Sequence, residues 1–102
     1  MSMIAIVVEF EIDAAAKAQL MSIIRAHARR TKEQEPGCIR FDILEPQEDG
    51  GKKSADRLML FELYRDKEAF DAHRASPNLP RFFSETKQFV KNRRATFADV
   101  DE

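Results

Sequence analysis

Several residue types that carry chemistry or cross-links are scarce in this sequence. Its 102 residues include one cysteine, two histidines, one tyrosine and no tryptophan. The single Cys38 cannot close an internal disulfide, and two histidines beside it do not make up the ligand set of a structural metal site. The sequence therefore predicts neither a disulfide scaffold nor a metal centre.

Long apolar runs and an excess of charge are also missing. The longest apolar run covers residues 3–8, far short of the roughly 20 residues that cross a bilayer, and no signal-peptide pattern opens the chain. The formal net charge of −1 gives no electrostatic reason to bind nucleic acid or an anionic membrane. We therefore expect a cytoplasmic protein that acts on a small molecule, with neither nucleic acid nor membrane as a partner.

What is present is typical of one globular domain. Apolar residues make up 43% of the chain and charged residues 34%, as in ordinary globular proteins, and the length is near the commonest domain size. We expect a single domain over residues 1–102. Within it, the polar, glycine-bearing segment at about 46–56 is predicted to be a flexible loop, and residues 100–102 a C-terminal tail.

The hydrophobic pattern alternates between strand and helix periods along the chain. In the second strand, alternation places Ile39, Phe41 and Ile43 on one face and Cys38 on the other. The element order predicts an α+β, ferredoxin-like βαββαβ fold, with helices on one face of a four-stranded antiparallel sheet. The predicted strands are 3–12, 38–45, 57–65 and 92–100, and the predicted helices are 14–35, 67–75 and one whose apolar positions run from Leu79 to Val90.

The first and third predicted strands carry large apolar side chains on both faces. The chain's own helices can cover only one face of the sheet. Leaving large apolar groups bare on the other costs about 1.5–3 kcal/mol each. We therefore expect a homodimer formed through the sheet faces, with a ligand or lipid on that face as the alternative.

Two segments, Glu35–Leu44 and Leu60–Pro77, carry the motifs E-P-G-C-x-R-F-D and Y-x-D-x-x-A-x-x-A-H-x-x-S-P. Together they resemble the antibiotic biosynthesis monooxygenase family, a group of dimeric α+β barrel proteins. The resemblance spans nearly the whole chain. It implies a homodimer whose sheets face each other and a substrate pocket between the sheet and helices of each protomer.

The family that the chain resembles contains several activities. Its members include cofactor-independent oxygenases of polycyclic phenols, quinol monooxygenases, an isomerase acting on a phosphorylated quorum-sensing signal, and haem-degrading proteins. The haem-degrading pattern uses a pocket tryptophan, which this chain lacks. After Ser76-Pro77 many relatives have histidine, whereas this chain has Asn78.

Both histidines fall on inward helical stripes, where either one alone could be structural. His73 matches the A-H of the second motif, and His27 aligns with a position where similar proteins carry asparagine or histidine. We therefore expect His27 and His73 to reach one pocket as catalytic residues. Tyr64 is predicted to donate a hydrogen bond to the substrate, or alternatively to anchor the end of its strand.

Further side chains are candidates for the substrate pocket, although core packing is the alternative for each of them. The basic residues Lys87, Lys91, Arg93 and Arg94 suggest a solvated face or a site for a phosphorylated substrate. The candidate pocket residues are Thr31, Phe41, Phe61, Phe70, Phe82 and Asn78.

The chemistry that the resemblance implies needs a base. An imidazole of ordinary pKa near 6.5 can deprotonate a phenol or quinol, and the electron-rich anion can then react with dioxygen without a bound cofactor. An isomerase that moves a proton beside a carbonyl needs the same base. We therefore expect a cofactor-independent monooxygenase. An isomerase of a small oxo-metabolite, including a phosphorylated one, and a non-catalytic ligand-binding or stress-associated barrel are the alternatives.

Overall fold

The computed structural model describes residues 2–101. The elements are β1 (Ile4–Ile12), a 3-10 turn (Ala14–Ala16), α1 (Lys17–Gln34), β2 (Cys38–Leu44), β3 (Arg57–Tyr64), α2 (Lys67–Arg74), α3 (Asn78–Thr86) and β4 (Val90–Asp99). The four strands form one antiparallel sheet in the order β2-β3-β1-β4, and the helices pack against one of its faces. The predicted ferredoxin-like α+β fold is confirmed.

The long helix α1 begins after a capped turn. The Asp13 carboxylate accepts a hydrogen bond from the Ala15 amide at 3.1 Å, which satisfies a donor that the first turn would otherwise leave free. Apolar residues then recur at helical spacing and face the sheet, so polar residues on the same stripe are carried inward. The buried side of α1 consists of Leu20, Met21, Ile24, His27, Ala28 and Thr31.

The pairing of β1 with β3 determines which side chains face the helices. The two strands run antiparallel from Ile4 opposite Tyr64 to Glu11 opposite Arg57. The helix-facing side of β3 is buried and carries Leu58, Leu60, Glu62 and Tyr64. Its other side is only half-buried and carries Met59, Phe61 and Leu63. The prediction that β3 is apolar on both faces is therefore confirmed, with Glu62 as the polar member of the buried side.

The predicted facing of residues in β2 is wrong at its start. The register shifts between Cys38 and Arg40, so Cys38 lies opposite Tyr64 and Phe41 lies opposite Glu62. Ile39 is the extra residue of this bulge and is 49% exposed, whereas Cys38 packs against the core. Strict alternation assumes that every residue of the strand pairs with one residue of its neighbour. One inserted residue moves all the side chains before it to the opposite face of the sheet.

The predicted boundary between the last helix and the last strand is also wrong. Helix α3 ends at Thr86, whose hydroxyl donates to the Phe82 carbonyl at 2.8 Å. Strand β4 starts at Val90, which pairs with Ile12. Phe89 and Val90 do pack against the core, but from the turn and the strand rather than from a helical face. The spacing of Phe89 and Val90 fits both the helical and the strand period. The pairing of β4 with β1 makes this segment the start of a strand rather than the end of a helix.

The segment between β2 and β3 contains a tight reversal. Gln47 and Lys53 form an isolated bridge, and the Ser54 amide donates to the Pro46 carbonyl at 2.8 Å. Gly50 and Gly51 turn the chain with φ of 91° and 88°, a region that side chains disfavour.

No helix within residues 2–101 is long and apolar enough to cross a membrane.

Candidate active site

A cavity of about 320 Å³ lies between the sheet and the helices. Its inner part is made of buried side chains and its mouth of exposed ones, so it opens to solvent on one side. The buried lining consists of Ile6, Val8, Phe10, His27, Leu60, Glu62, Phe70, His73 and Phe82. The half-buried or exposed lining consists of Arg74, Leu79, Phe83, Arg93, Ala95 and Phe97.

His73 is the most highly connected polar group of this cavity. It lies near the end of α2, which begins where the Asp66 carboxylate accepts a hydrogen bond from the Ala69 amide at 2.9 Å. Its ring atom Nδ1 lies 2.8 Å from Oε1 of Glu35 and 2.9 Å from the hydroxyl of Tyr64. Its other nitrogen, Nε2, lies 3.5 Å from Oε1 of Glu62. The imidazole is therefore held between two carboxyl groups.

The hydrogen bonds assign the proton on His73. Tyr64 has one hydroxyl hydrogen, and it donates that hydrogen to Oε1 of Glu62 at 2.8 Å. A Glu35 carboxylate can only accept a hydrogen bond, so Nδ1 of His73 is the donor toward Glu35 in the tautomer that fits these contacts. The lone pair of the neutral ring is then on Nε2, the nitrogen on the side of Glu62, which also lines the cavity.

Glu62 is a buried acid on an otherwise apolar strand face. Its side chain is 4% exposed, and burial raises the pKa of its carboxyl group. The neighbouring His73 and the Tyr64 hydroxyl act in the opposite direction, because both favour the carboxylate. For Tyr64, burial and the nearby Glu62 both raise the pKa, so its hydroxyl keeps its hydrogen and serves as a donor.

Glu35 reaches His73 because two segments approach closely. Glu35 is the C-cap residue of α1, and its amide donates to the Thr31 carbonyl. Two residues later, Gly37 packs so tightly against Ala69 of α2 that a side chain at Gly37 would clash. The Arg65 amide also donates to the Gly37 carbonyl at 2.9 Å. The glycine of the first motif therefore brings the end of α1 against α2, where His73 lies.

His27 lies on the same cavity in an apolar setting. Its ring stacks on Phe82 with centroids 4.1 Å apart and meets Phe41 edge-on at 5.6 Å. Within residues 2–101 its Nδ1 is buried without a hydrogen-bond partner. Burial, and then the nearby Arg30 guanidinium, lower the pKa of His27 to about 4. His27 is therefore neutral at physiological pH.

The structure brings four of the residues predicted for the site onto the cavity, namely His27, His73, Phe70 and Phe82. The other five predicted residues do not line it. Tyr64 is buried behind Glu62 and His73, and Phe41 lies behind His27. Thr31 is fully buried. Phe61 is on the opposite sheet face, and Asn78 donates to the Gln34 side chain at 2.7 Å.

Sequence reasoning missed Glu35, Glu62 and Arg74. For Glu62 a signal existed, since period-two alternation puts this acid on the same face as Leu60 and Tyr64, in the most apolar strand. Glu35 belongs to the first motif, yet nothing in the sequence indicates that it meets a histidine 38 positions later.

Within residues 2–101, no group of three or more histidine, cysteine, aspartate or glutamate side chains is arranged to hold a metal ion.

Comparisons with known proteins agree on the fold. The sequence model of the antibiotic biosynthesis monooxygenase family matches residues 3–85. Rv0793 from Mycobacterium tuberculosis is 30% identical over 99% of this chain and 98% of its own, with a TM-score of 0.79. Among curated proteins, none matches this chain.

Two more distant structures share the fold alone. SnoaB, a cofactor-independent oxygenase from Streptomyces nogalater, is 16% identical over 100% of this chain and 96% of its own, with a TM-score of 0.82. A conserved protein from Methanosarcina mazei Go1 is 19% identical over 99% of this chain and 95% of its own, also with a TM-score of 0.82.

Proposed function

Because the chain belongs to the antibiotic biosynthesis monooxygenase family, we propose that it is a monooxygenase that needs no bound cofactor and oxidises a small phenolic or quinol substrate. The observation that carries the proposal is His73, held between two carboxyl groups on the wall of an apolar cavity. The cavity is at the small end of the range of ligand pockets, roughly 300–1,000 Å³. A substrate of one or two rings therefore suits it.

His73 is the proposed general base. Its Nε2 carries the lone pair and takes the hydroxyl proton of the substrate. The resulting imidazolium has Glu35 at 2.8 Å from Nδ1 and Glu62 at 3.5 Å from Nε2. Two nearby carboxyl groups offset the cost of forming a positive charge in a dry site. Glu35 and Tyr64 act as positioning residues, because they hold the ring without touching the substrate.

The oxidation proceeds from the substrate anion. The anion transfers electrons to dioxygen and forms a carbon–oxygen bond at an activated ring carbon. The peroxide so formed takes the proton held by His73, which gives a hydroperoxide. The neutral His73 then removes the C–H proton as the O–O bond breaks, which leaves a carbonyl and hydroxide. His73 passes this second proton to the hydroxide and forms water. One oxygen atom enters the product, the other leaves as water, and the substrate supplies all the electrons.

His27 has a different proposed role in the same cavity. Because its pKa is about 4, it does not carry a charge at neutral pH and competes poorly for the substrate proton. A neutral imidazole can still donate one hydrogen bond. We assign it to orienting the substrate oxygen while Phe82, stacked on its ring, packs against the aromatic body.

Oxygen consumption tests this proposal. Purified protein is incubated with hydroquinone, 1,4-dihydroxynaphthalene and 6-hydroxy-2-naphthoate, with and without isotopically labelled dioxygen. We expect enzyme-dependent oxygen uptake for at least one substrate and one labelled oxygen atom in the product. Equal rates with and without the protein would contradict the proposal.

The same site supports an isomerase as a second candidate, because His73 and a neutral donor could also move a proton beside a carbonyl. Anaerobic incubation separates the two reactions. An isomerase converts its substrate at the same rate without dioxygen, whereas the proposed oxygenase stops. A protein that binds these compounds and converts none of them, in air or without it, would be the third alternative, a binding barrel.

The outer sheet face supports the predicted homodimer. Phe61 and Leu63 are only half-buried there, Leu44 is 41% exposed, and no element of residues 2–101 covers them. We propose that a second copy covers this face. Light scattering should give twice the mass of one chain, and Phe61→Asp should reduce it to one. A single-chain mass for the unaltered protein would overturn the proposed homodimer.

A cytoplasmic location stays a prediction.

A further inference from the structure

The mouth of the cavity carries two guanidinium groups. Arg74 is near the end of α2, and Arg93 is on β4, opposite Phe10 in the ladder. Both are exposed, and both line the cavity. They come from different elements, so the fold rather than the local sequence places them at one opening.

Each guanidinium lies over an aromatic ring that also lines the cavity. The guanidinium carbon of Arg93 is 4.0 Å from the ring centroid of Phe83, and that of Arg74 is 5.5 Å from the centroid of Phe70. Such stacking limits the motion of a long side chain and leaves the N–H groups at its edge available to an acceptor. Both cations are therefore oriented before any ligand arrives.

No acidic side chain within residues 2–101 neutralises the charge at the mouth. Arg40, for comparison, pairs with Asp42 at 2.7 Å, but neither Arg74 nor Arg93 forms an ion pair within residues 2–101. Among the described residues that line the cavity, only Glu62 is acidic, and it is in the buried part. A second groove, which shares Phe10, Phe83 and Arg93 with the cavity, adds Lys87 and Lys91.

We propose that the mouth is an anion site and that the substrate carries a carboxylate or phosphate at the end opposite its reacting hydroxyl. The orientation rests on the function proposed above, with the hydroxyl at His73. The apolar body then lies against Leu60, Leu79 and Phe82, and the anionic end meets Arg74 and Arg93. Guanidinium groups suit both anions, because their paired N–H donors match two oxygens of either one.

Binding of non-reactive ligands tests this site separately from catalysis. The probes are 2-naphthoate, 2-naphthyl phosphate and methyl 2-naphthoate, none of which has a hydroxyl group to deprotonate, and titration calorimetry measures their affinities. We expect the anions to bind at least about tenfold more tightly than the neutral ester, because one charge-assisted hydrogen bond is enough to give a difference of this size. This preference should fall as sodium chloride is added. The tighter of the two anions shows which kind of anionic group the mouth prefers.

Variants locate the site. Arg93→Gln and Arg74→Gln should each weaken anion binding about tenfold and leave ester binding unchanged. Arg93→Lys keeps the charge but loses the paired donors. Its affinity for the anions should lie between that of the unaltered protein and that of Arg93→Gln. The control is Arg94→Gln, because Arg94 is the next residue of β4, pairs with Glu9 in the ladder and does not line the cavity. Circular dichroism confirms that each variant is folded.

Three outcomes would overturn the anion site: equal affinity for ester and anions, an equal loss in Arg94→Gln, or no binding of any probe. The function proposed above fails on other evidence. If the anion preference depends on Arg93 but no phenol or quinol consumes dioxygen, the anion site stands and the oxygenase does not. If dioxygen is consumed and the ester binds as well as the acid, the oxygenase stands alone.

Discussion

The two histidines share one cavity and differ in almost everything around them. Both are buried, with 2% of His27 and 4% of His73 exposed. His27 is enclosed by Phe41 and Phe82, near the cation of Arg30. His73 instead has a carboxyl group beside each of its ring nitrogens.

Burial alone therefore does not define the chemistry of an imidazole. An apolar wall and a nearby guanidinium favour the neutral ring, so His27 stays uncharged and its pKa falls to about 4. Carboxyl groups favour the charged ring, which a base must become once it has taken a proton. The same residue type on two similar helical stripes is therefore suited to two tasks.

Replacing each imidazole in turn should separate the two histidines most strongly. His73→Gln should lower kcat for oxygen uptake by about 100- to 10,000-fold, the usual contribution of a general base. His27→Gln keeps a hydrogen-bond donor, so it should lose no more than about tenfold. Steady-state oxygen uptake measures both variants. Similar losses in the two would show that the histidines are not differentiated as proposed.

The next effect concerns stability in acid. The pKa of His27 is about 4 in the folded chain and near 6.5 in the unfolded chain. The unfolded chain therefore binds the extra proton between these values, so the stability present above pH 6.5 is lost as pH falls toward 4. The gap corresponds to about 3 kcal/mol. Urea unfolding of the unaltered protein and of His27→Phe should diverge by this amount between pH 7 and pH 4, and parallel curves would contradict the assignment.

Removing the carboxylate beside Nδ1 of His73 should have a smaller effect than the two changes above. Glu35→Gln retains the shape but loses the negative charge beside Nδ1 of His73, so the imidazolium forms less readily. We expect kcat to fall by about 10- to 100-fold, since a carboxylate that supports a catalytic histidine contributes on this scale or above it. Glu33→Gln is the matched control, because Glu33 lies on the exposed side of α1. Equal rates for both variants would remove Glu35 from the mechanism.

Much of the fold could be predicted because its signals are local. The alternation in residues 3–12 and the stripe from Leu20 to Thr31 each reflect one element facing one core, and each appears where expected. The errors come at Ile39 and Val90. At Ile39, a bulge in the pairing with β3 reverses the predicted sheet face. At Val90, pairing with β1 starts a strand where the local pattern also allowed a helix.

The candidate site was predictable only in part. His27 and His73 could be found because helical spacing points them inward. Their partners could not be found in this way. Glu35 meets His73 only after Gly37 packs against Ala69, and Arg74 and Arg93 share an opening only after β4 pairs with β1.

The pattern of residues along the chain predicts the order of elements, the inward direction of both imidazoles and the two apolar sides of β3, because these follow from the periods of helix and strand. It does not predict which histidine has carboxyl neighbours and which has aromatic ones. Contacts between residues far apart in the chain depend on how elements pack, and electrostatic interactions over a few ångströms follow that packing rather than the spacing along the chain.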